Sequence, residues 1–361
     1  MEDQYIPETD YPYMFGNNLQ VTTGNGSYYF RNDGQLYKMD QNSKKPEPQL
    51  IDTIYSAPRL RAGSDSLLLQ FYQDKLYTIE PKSPQTDPSI QYELVQRDTD
   101  GRNRHTVIDL PHTPVSTAIH RGYLYYSVEV KDQGKNKQML LRLALKESSQ
   151  EPEVLYETHN RDGGIAAVIP YGSQIYFIES DKQAIYTMRY NLRNSQVTRL
   201  LDNEDEGSPF IKAIHNQRIY FSYYYPPKSD EISDLVEEPA LKTYSSQLNG
   251  KDIQVETGIP PAPINFNALI DDQYSYVGPS RIEGISDKLK IYKDNHLIQT
   301  IRMSTDAATP EIQLLIVGDE RYMFMLGTDY SKTYIQYLDK REIEAGTANF
   351  KMLLEAPSMY R

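Results

Sequence analysis

Cysteine and tryptophan are both missing from these 361 residues. Without cysteine there is no disulfide and no thiolate zinc site. Long apolar runs are missing too. No segment approaches the roughly 18 consecutive apolar residues that a membrane-crossing helix needs. Positive charge is scarce: 38 Lys and Arg face 50 Asp and Glu, for a formal net charge of −12, and no run of basic residues occurs. A nucleic-acid binder must neutralise phosphates with a cationic footprint. The charge balance therefore argues against nucleic acid, and equally against binding to an anionic membrane surface. Residues 1–17 (MEDQYIPETDYPYMFGN) show neither the basic start nor the apolar core of a signal peptide. They read as a polar, acidic, proline-containing leader.

What the chain does have is tyrosine, 31 of them, and a repeat. The stretch 173–202 (SQIYFIESDKQAIYTMRYNLRNSQVTRLLD) contains three runs of alternating apolar and polar residues: Gln174–Glu179, Ala184–Asn191 and Gln196–Leu201. Period-2 alternation joined by polar turns predicts a three-strand meander with one buried face. Ile165–Tyr171 just before it is more uniformly apolar, as expected of a strand covered on both faces. These are four strands in sequence, here lettered A to D.

The same pattern recurs. Residues equivalent to Tyr176 are Tyr29, Tyr77, Tyr125, Tyr220, Ser275 and Met323, at successive intervals of 48, 48, 51, 44, 55 and 48 along the chain. Each is preceded by an apolar A strand, from Asn18–Thr22 in the first unit to Glu311–Val317 in the last. Each is followed by C and D strands, from Gln35–Asp40 and Gln49–Ile51 to Thr333–Leu338 and Lys351–Leu354. Four-stranded units of this length are blades of a β-propeller, whereas a helical solenoid would show a 3.6 period. The expectation is an all-β, seven-bladed propeller forming a single domain over residues 18–357, behind the leader of residues 1–17. Tyrosine suits such a frame: its ring fills the gap between blades while its hydroxyl reaches water or backbone at the edge.

Two segments, GSYYFRNDGQLYKMD at Gly26–Asp40 and LVQRDTDGRNRHTVIDL at Leu94–Leu110, carry a family likeness. The first resembles the B-turn-C pattern, and the second the D-x-DG-x-x turn, of tyrosine-rich bacterial extracytoplasmic propellers related to the YWTD class. The Trp of that motif is absent throughout. The resemblance implies an exported or cell-surface-anchored, lipoprotein-like protein. Its export signal or lipid-modified cysteine would then precede the leader. The absence of cysteine agrees with that compartment. The resemblance also implies that ligands meet the face bearing the D-to-A and B-to-C connections.

Loops on a rigid frame carry function more often than its strands do. In the D-to-A connections stand Arg59, His112, His159, Arg161 and Asp162, placed to line the mouth of a central channel. The acid cluster Glu204, Asp205 and Glu206 enters blade 5, whose long B-to-C insertion holds a second acidic stretch, Ser229–Glu238 (SDEISDLVEE). His120 and His215 follow an Ala-Ile pair in the same slot of two blades, and residues repeating in register serve the blade. Asp98–Asn103 (DTDGRN) superficially resembles the start of a calcium loop, but the twelfth position, Asp109, falls inside strand D, and a tight Asp-Gly turn explains the residues better.

No HExxH, G-x-S-x-G or Walker motif occurs, and no catalytic residue, metal or cofactor is expected. The leading expectation is a non-catalytic extracytoplasmic binding module for a protein, peptide or glycan. The alternative is a polysaccharide lyase or glycosidase at the channel mouth, using His159, Arg161 and Asp162.

Overall fold

A computed structural model describes residues 13–14, 21–32, 34–54, 68–82, 91–132, 135–146, 151–158, 164–181, 184–202, 207–215, 217–224, 242–256, 268–270, 273–277, 288–294, 296–303, 312–317, 319–328 and 332–357. The fold is all-β: seven blades of four antiparallel strands in a propeller arrangement. Its one described helix is a 3-10 turn at Lys340–Glu342. The chain divides into two compact units, Asn17–Asp202 and Asn203–Arg361, and Met14–Gly16 goes with the second.

A short strand β1 (Tyr13–Met14) comes first. Blade 1 is β2 (Val21–Gly24), β3 (Ser27–Asn32), β4 (Gln35–Asp40) and β5 (Gln49–Thr53). Blade 2 is β6 (Leu69–Tyr72), β7 (Lys75–Pro81), β8 (Tyr92–Asp98) and β9 (His105–Leu110). Blade 3 is β10 (Pro114–His120), β11 (Tyr123–Asp132), β12 (Lys135–Ala144) and β13 (Glu153–Glu157). Blade 4 is β14 (Gly164–Tyr171), β15 (Gln174–Ser180), β16 (Ile185–Asn191) and β17 (Gln196–Arg199). These four blades make up the first unit.

The second unit holds the other three. Blade 5 is β18 (Ser208–His215), β19 (Arg218–Tyr224), β20 (Tyr244–Gln247) and β21 (Gln254–Val255), with β1 added beside β18. Blade 6 is β22 (Ala268–Ile270), β23 (Ser275–Val277), β24 (Lys288–Lys293) and β25 (His296–Arg302). Blade 7 is β26 (Ile312–Val317), β27 (Tyr322–Thr328), β28 (Lys332–Asp339) and β29 (Lys351–Pro357).

The A-to-B hairpins turn on residues with positive φ: Asn25 and Gly26, Gln73 and Asp74, Arg121 and Gly122. Two consecutive left-handed residues make the tight turn whose twist matches that of the strands it joins. Strand β21 is shorter than the expected Asp252–Glu256 because Asp252 itself sits at φ 55°, which interrupts the ladder until Gln254. The B strands are the most completely buried: all six residues of β3 are inaccessible, whereas β14, expected to be covered on both faces, leaves Ala166 exposed. Neighbouring blades cover both faces of such a strand: in β7, Tyr77 and Ile79 pack toward blade 3 while Thr78 and Glu80 face the side of blade 1, so the alternation of a half-exposed strand is lost.

Tyrosines fill the seams between blades. Blades 2 and 3 meet in an apolar cluster containing Tyr72, Tyr77, Tyr92 and Tyr126, and blades 6 and 7 in one containing Tyr274, Tyr276 and Tyr334. Burying such a ring is worth about 2–3 kcal/mol. Close packing also fixes small residues: a Cβ at Gly327 would lie 2.2 Å from the ring of Tyr334, its cross-strand partner.

Candidate functional site

In every blade the B strand runs toward the end where the B-to-C connection leaves and the D-to-A connection enters. The third residue after the marker tyrosine therefore sits at that end. It is Asn32 in blade 1, Glu80 in blade 2, Val128 in blade 3 and Glu179 in blade 4, and all four are buried. Two of them are carboxylates, and each has built a cluster.

The blade 2 cluster is the larger. Glu80 Oε1 accepts from Arg97 Nη2 at 2.6 Å and from the hydroxyl of Thr78, and Arg97 Nη1 donates to Thr78 at 2.7 Å. Arg104 Nη2 reaches Glu80 Oε2 at 3.2 Å and Glu93 Oε1 at 2.6 Å, and Thr106 donates to Glu93 Oε2 at 2.6 Å. Asp52, from the edge strand of blade 1, brings Oδ2 to 3.0 Å from Arg97 Nε. That contact is an ion pair without the alignment of a hydrogen bond. Alternation along the strands explains the grouping: Thr78 and Glu80 share one face of β7, while Glu93 and Arg97 share the matching face of β8. Burial by itself would push the Glu80 carboxyl up. The charges of Arg97 and Arg104, with the Thr78 and Arg97 hydrogen bonds, more than offset it and hold Glu80 below the usual carboxylate range.

Between blades 3 and 4, Tyr156 Oη of β13 donates to Glu179 Oε2 of β15 at 2.8 Å, and within blade 4 Tyr186 Oη donates to Asp181 Oδ2 at 3.1 Å. The Arg199 guanidinium lies 4.4 Å from the centre of the Tyr186 ring, within cation–π range. Burial, then the Glu179 hydrogen bond and charge, push the Tyr156 hydroxyl well above its ordinary value. That tyrosine stays protonated and acts as a donor.

Of the residues singled out from the sequence, His112 is described: it sits half-buried between β9 and β10. Arg59, His159, Arg161, Asp162, Glu204, Asp205 and Glu206, and the stretch Ser229–Glu238, lie outside the described residues. Strand β14 begins blade 4 at the end that carries Glu179, with Ile165 opposite it. Sequence reasoning missed Glu80, Glu93, Arg97 and Glu179. A signal for them existed in the matched strings YTIE (Tyr77–Glu80) and YFIE (Tyr176–Glu179), which put an acid in one register position of two blades.

His120 is a blade residue: it is buried, and its Nε2 lies 2.8 Å from the carbonyl of Gly172 in the next blade. The His215 side chain lies outside the described residues. The Asp98–Asn103 segment is a turn held from within. Asp98 accepts from Lys75 and from Asn103 Nδ2, and Gly101 stands at φ 85°. The Lys75 hydrogen bond, above all, holds the Asp98 carboxyl below its ordinary value. The Lys75 ammonium thus sits against Asp98 Oδ1. Among the described residues there is no group of three or more His, Asp or Glu placed to hold a metal.

No protein-family model and no curated protein matches the sequence. Solved structures do resemble it in shape. Apo prolyl oligopeptidase B from Galerina marginata superposes with a TM-score of 0.55 at 10% identity, over 98% of this chain and 52% of that one. This chain thus spans about half of that enzyme's length. A putative TolB from Agrobacterium tumefaciens gives a TM-score of 0.42 at 13% identity, over 70% of this chain and 82% of that one. A nidogen/laminin complex gives 0.37 at 11% identity, over 64% of this chain and 75% of that one. At these identities the likeness speaks to the fold alone.

Proposed function

We propose that this chain is a non-catalytic binding propeller that works outside the cytoplasm and takes a protein, peptide or glycan on the B-to-C and D-to-A connections. One observation carries the reading: an otherwise repeated frame holds connections of very unequal length at that end. Strands β11 and β12 are joined by residues 133–134 alone, whereas β19 and β20 are joined by residues 225–243. Extra length that the frame does not need is where binding chemistry accumulates on a rigid scaffold.

The proposed contacts form one patch in each unit. In the first unit they are Arg59, His112, His159, Arg161 and Asp162. In the second they are Glu204, Asp205 and Glu206, with the acidic Ser229–Glu238 beside them on blade 5. Deleting Ser229–Glu238 leaves the far-UV spectrum and thermal midpoint intact and weakens capture of a ligand found by screening cell-wall fragments, oligosaccharides and peptides. Undiminished capture removes the acidic patch from the proposal.

A second reading, a polysaccharide lyase or glycosidase, has one observation in its favour. The connection carrying His159, Arg161 and Asp162 enters blade 4 beside a hydroxyl–carboxylate pair, Tyr156 and Glu179, of the kind that moves protons in sugar chemistry. It predicts release of reducing ends or unsaturated sugars from an acidic polysaccharide, lost in His159→Ala. Binding without turnover decides for the first reading.

A further inference from the structure

We propose that the seam between blades 1 and 2 is an acid-releasable latch, closed by the buried Arg97–Glu80 pair and the Asp52, Glu93 and Arg104 side chains around it. The two seams of blade 2 are built differently. Toward blade 3 the contact is an apolar cluster that includes Tyr72, Ile79, Leu94, Leu124 and Leu143. Toward blade 1 the buried apolar contact shrinks to Tyr29, Leu36, Leu69 and Leu76, with Ile51 and Phe71 packed against them. Among the described residues, the rest of that seam is polar: the charged cluster, with Thr22 Oγ1 accepting from Phe71 N–H and Asn25 Nδ2 donating to Asp74 Oδ1. Arg97 has no exposed side-chain surface and Glu80 has 1%, so the charges are held out of water by the docking of blade 1 against blade 2.

Among the described residues, the charged groups around Glu80 come from a small set of elements. Strand β8 supplies Glu93 and Arg97, the turn before β9 supplies Arg104, and β5 supplies Asp52. From β3, Arg31 Nη1 donates to the carbonyl of Ile79 at 3.1 Å. At the rim the Lys82–Asp109 pair, 2.6 Å apart, flanks the cluster. Protonating the carboxylates leaves the Arg97 guanidinium, which has no exposed surface, without its counter-charges in the seam. Removing one partner of a buried ion pair costs far more than the intact pair contributes.

The sign follows from Glu80, which is held below the ordinary carboxylate range. Its stabilising contribution is complete above that range and is lost as pH falls through the folded-state value. The latch therefore holds at neutral pH and opens only as pH falls below the ordinary carboxylate range. Blade 1 then parts from blade 2 while the apolar seams hold.

Hydrogen exchange of the whole chain, read by mass spectrometry and corrected for intrinsic chemical rates, tests this. As pH is lowered from about 7 to about 3.5, peptides from β4, β5 and β8 are expected to lose protection before peptides from β15 and β16. Asp52→Asn should speed exchange in the same seam peptides at neutral pH. Glu80→Gln/Glu93→Gln should do so more strongly and abolish the pH dependence. If that double variant does not fold, Asp52→Asn carries the test. Parallel loss of protection in the seam and in blade 4 would overturn the proposal. So would wild-type seam exchange in Asp52→Asn.

Discussion

The side-chain amide of Gln70 holds both backbone groups of Ile119: Nε2 donates to its carbonyl and Oε1 accepts from its N–H, each at 2.8 Å. The two residues belong to the A strands of neighbouring blades, one repeat apart. Equivalent ties flank this one. Thr22 Oγ1 accepts from Phe71 N–H at 3.1 Å, and Ser116 Oγ accepts from Val168 N–H at 2.9 Å. Four successive blades are thus laced through their A strands by polar side chains acting as surrogate backbone.

Replacing Gln70 by Leu strands a buried donor and a buried acceptor together. The expected loss is about 2–4 kcal/mol, read from the urea midpoint at unchanged slope. An unshifted midpoint would mean that blade docking does not depend on this tie.

Gly327→Ala places a methyl group against the Tyr334 ring. Overpacking at such a site costs about 1–3 kcal/mol. Tyr334→Leu, destabilising by itself, is expected to cost less when combined with Gly327→Ala than the separate losses predict. A double-mutant cycle on thermal or urea unfolding measures the coupling. Simple additivity would place the two residues out of contact.

Alkaline pH should unfold the protein through its tyrosines. Burial, only partly countered by Arg142, pushes Tyr125 up to about 12, and burial also raises Tyr77 and Tyr126. A raised folded-state value contributes stability that is whole below the ordinary tyrosine range and lost above it. For Tyr125 the window is from about pH 10 to about pH 12, and each fully discriminated proton is worth about 1.4 kcal/mol per pH unit. Absorbance at the tyrosinate band is expected to rise in two stages, the second coinciding with loss of the far-UV β signal. One normal titration with the fold intact would contradict the burial of these rings.

Asp98 is engaged by Lys75 and Asn103, so Asp98→Asn should not alter the response of the thermal midpoint to millimolar calcium or to a chelator. A calcium-dependent stabilisation lost in that variant would reassign the turn as a metal loop.

The period of about 49 residues made the blade count legible. β4 and β24 coincide with the strands read from the sequence, Gln35–Asp40 and Lys288–Lys293. Alternation and tyrosine spacing are local signals, and blades are local structures. The charged seam was not legible, because Asp52 meets Arg97 only when two blades dock, and in the sequence Asp52, Glu80 and Arg97 each read as one more solvated charge. His120 was legible as a blade residue through its shared slot with His215. Its partner, the Gly172 carbonyl, was not, since a backbone acceptor leaves no trace in residue type.

The central claim is that the repeated frame is inert and the B-to-C and D-to-A connections bind. A hydrogen-exchange footprint with an oligosaccharide or peptide hit from the thermal-shift screen tests it most directly. Protection is expected in residues 55–67, 159–163, 203–206 or 225–243. Protection confined to the opposite ends of the blades, at Asn25–Gly26, Gln73–Asp74, Arg121–Gly122 and Gly172–Ser173, would contradict it.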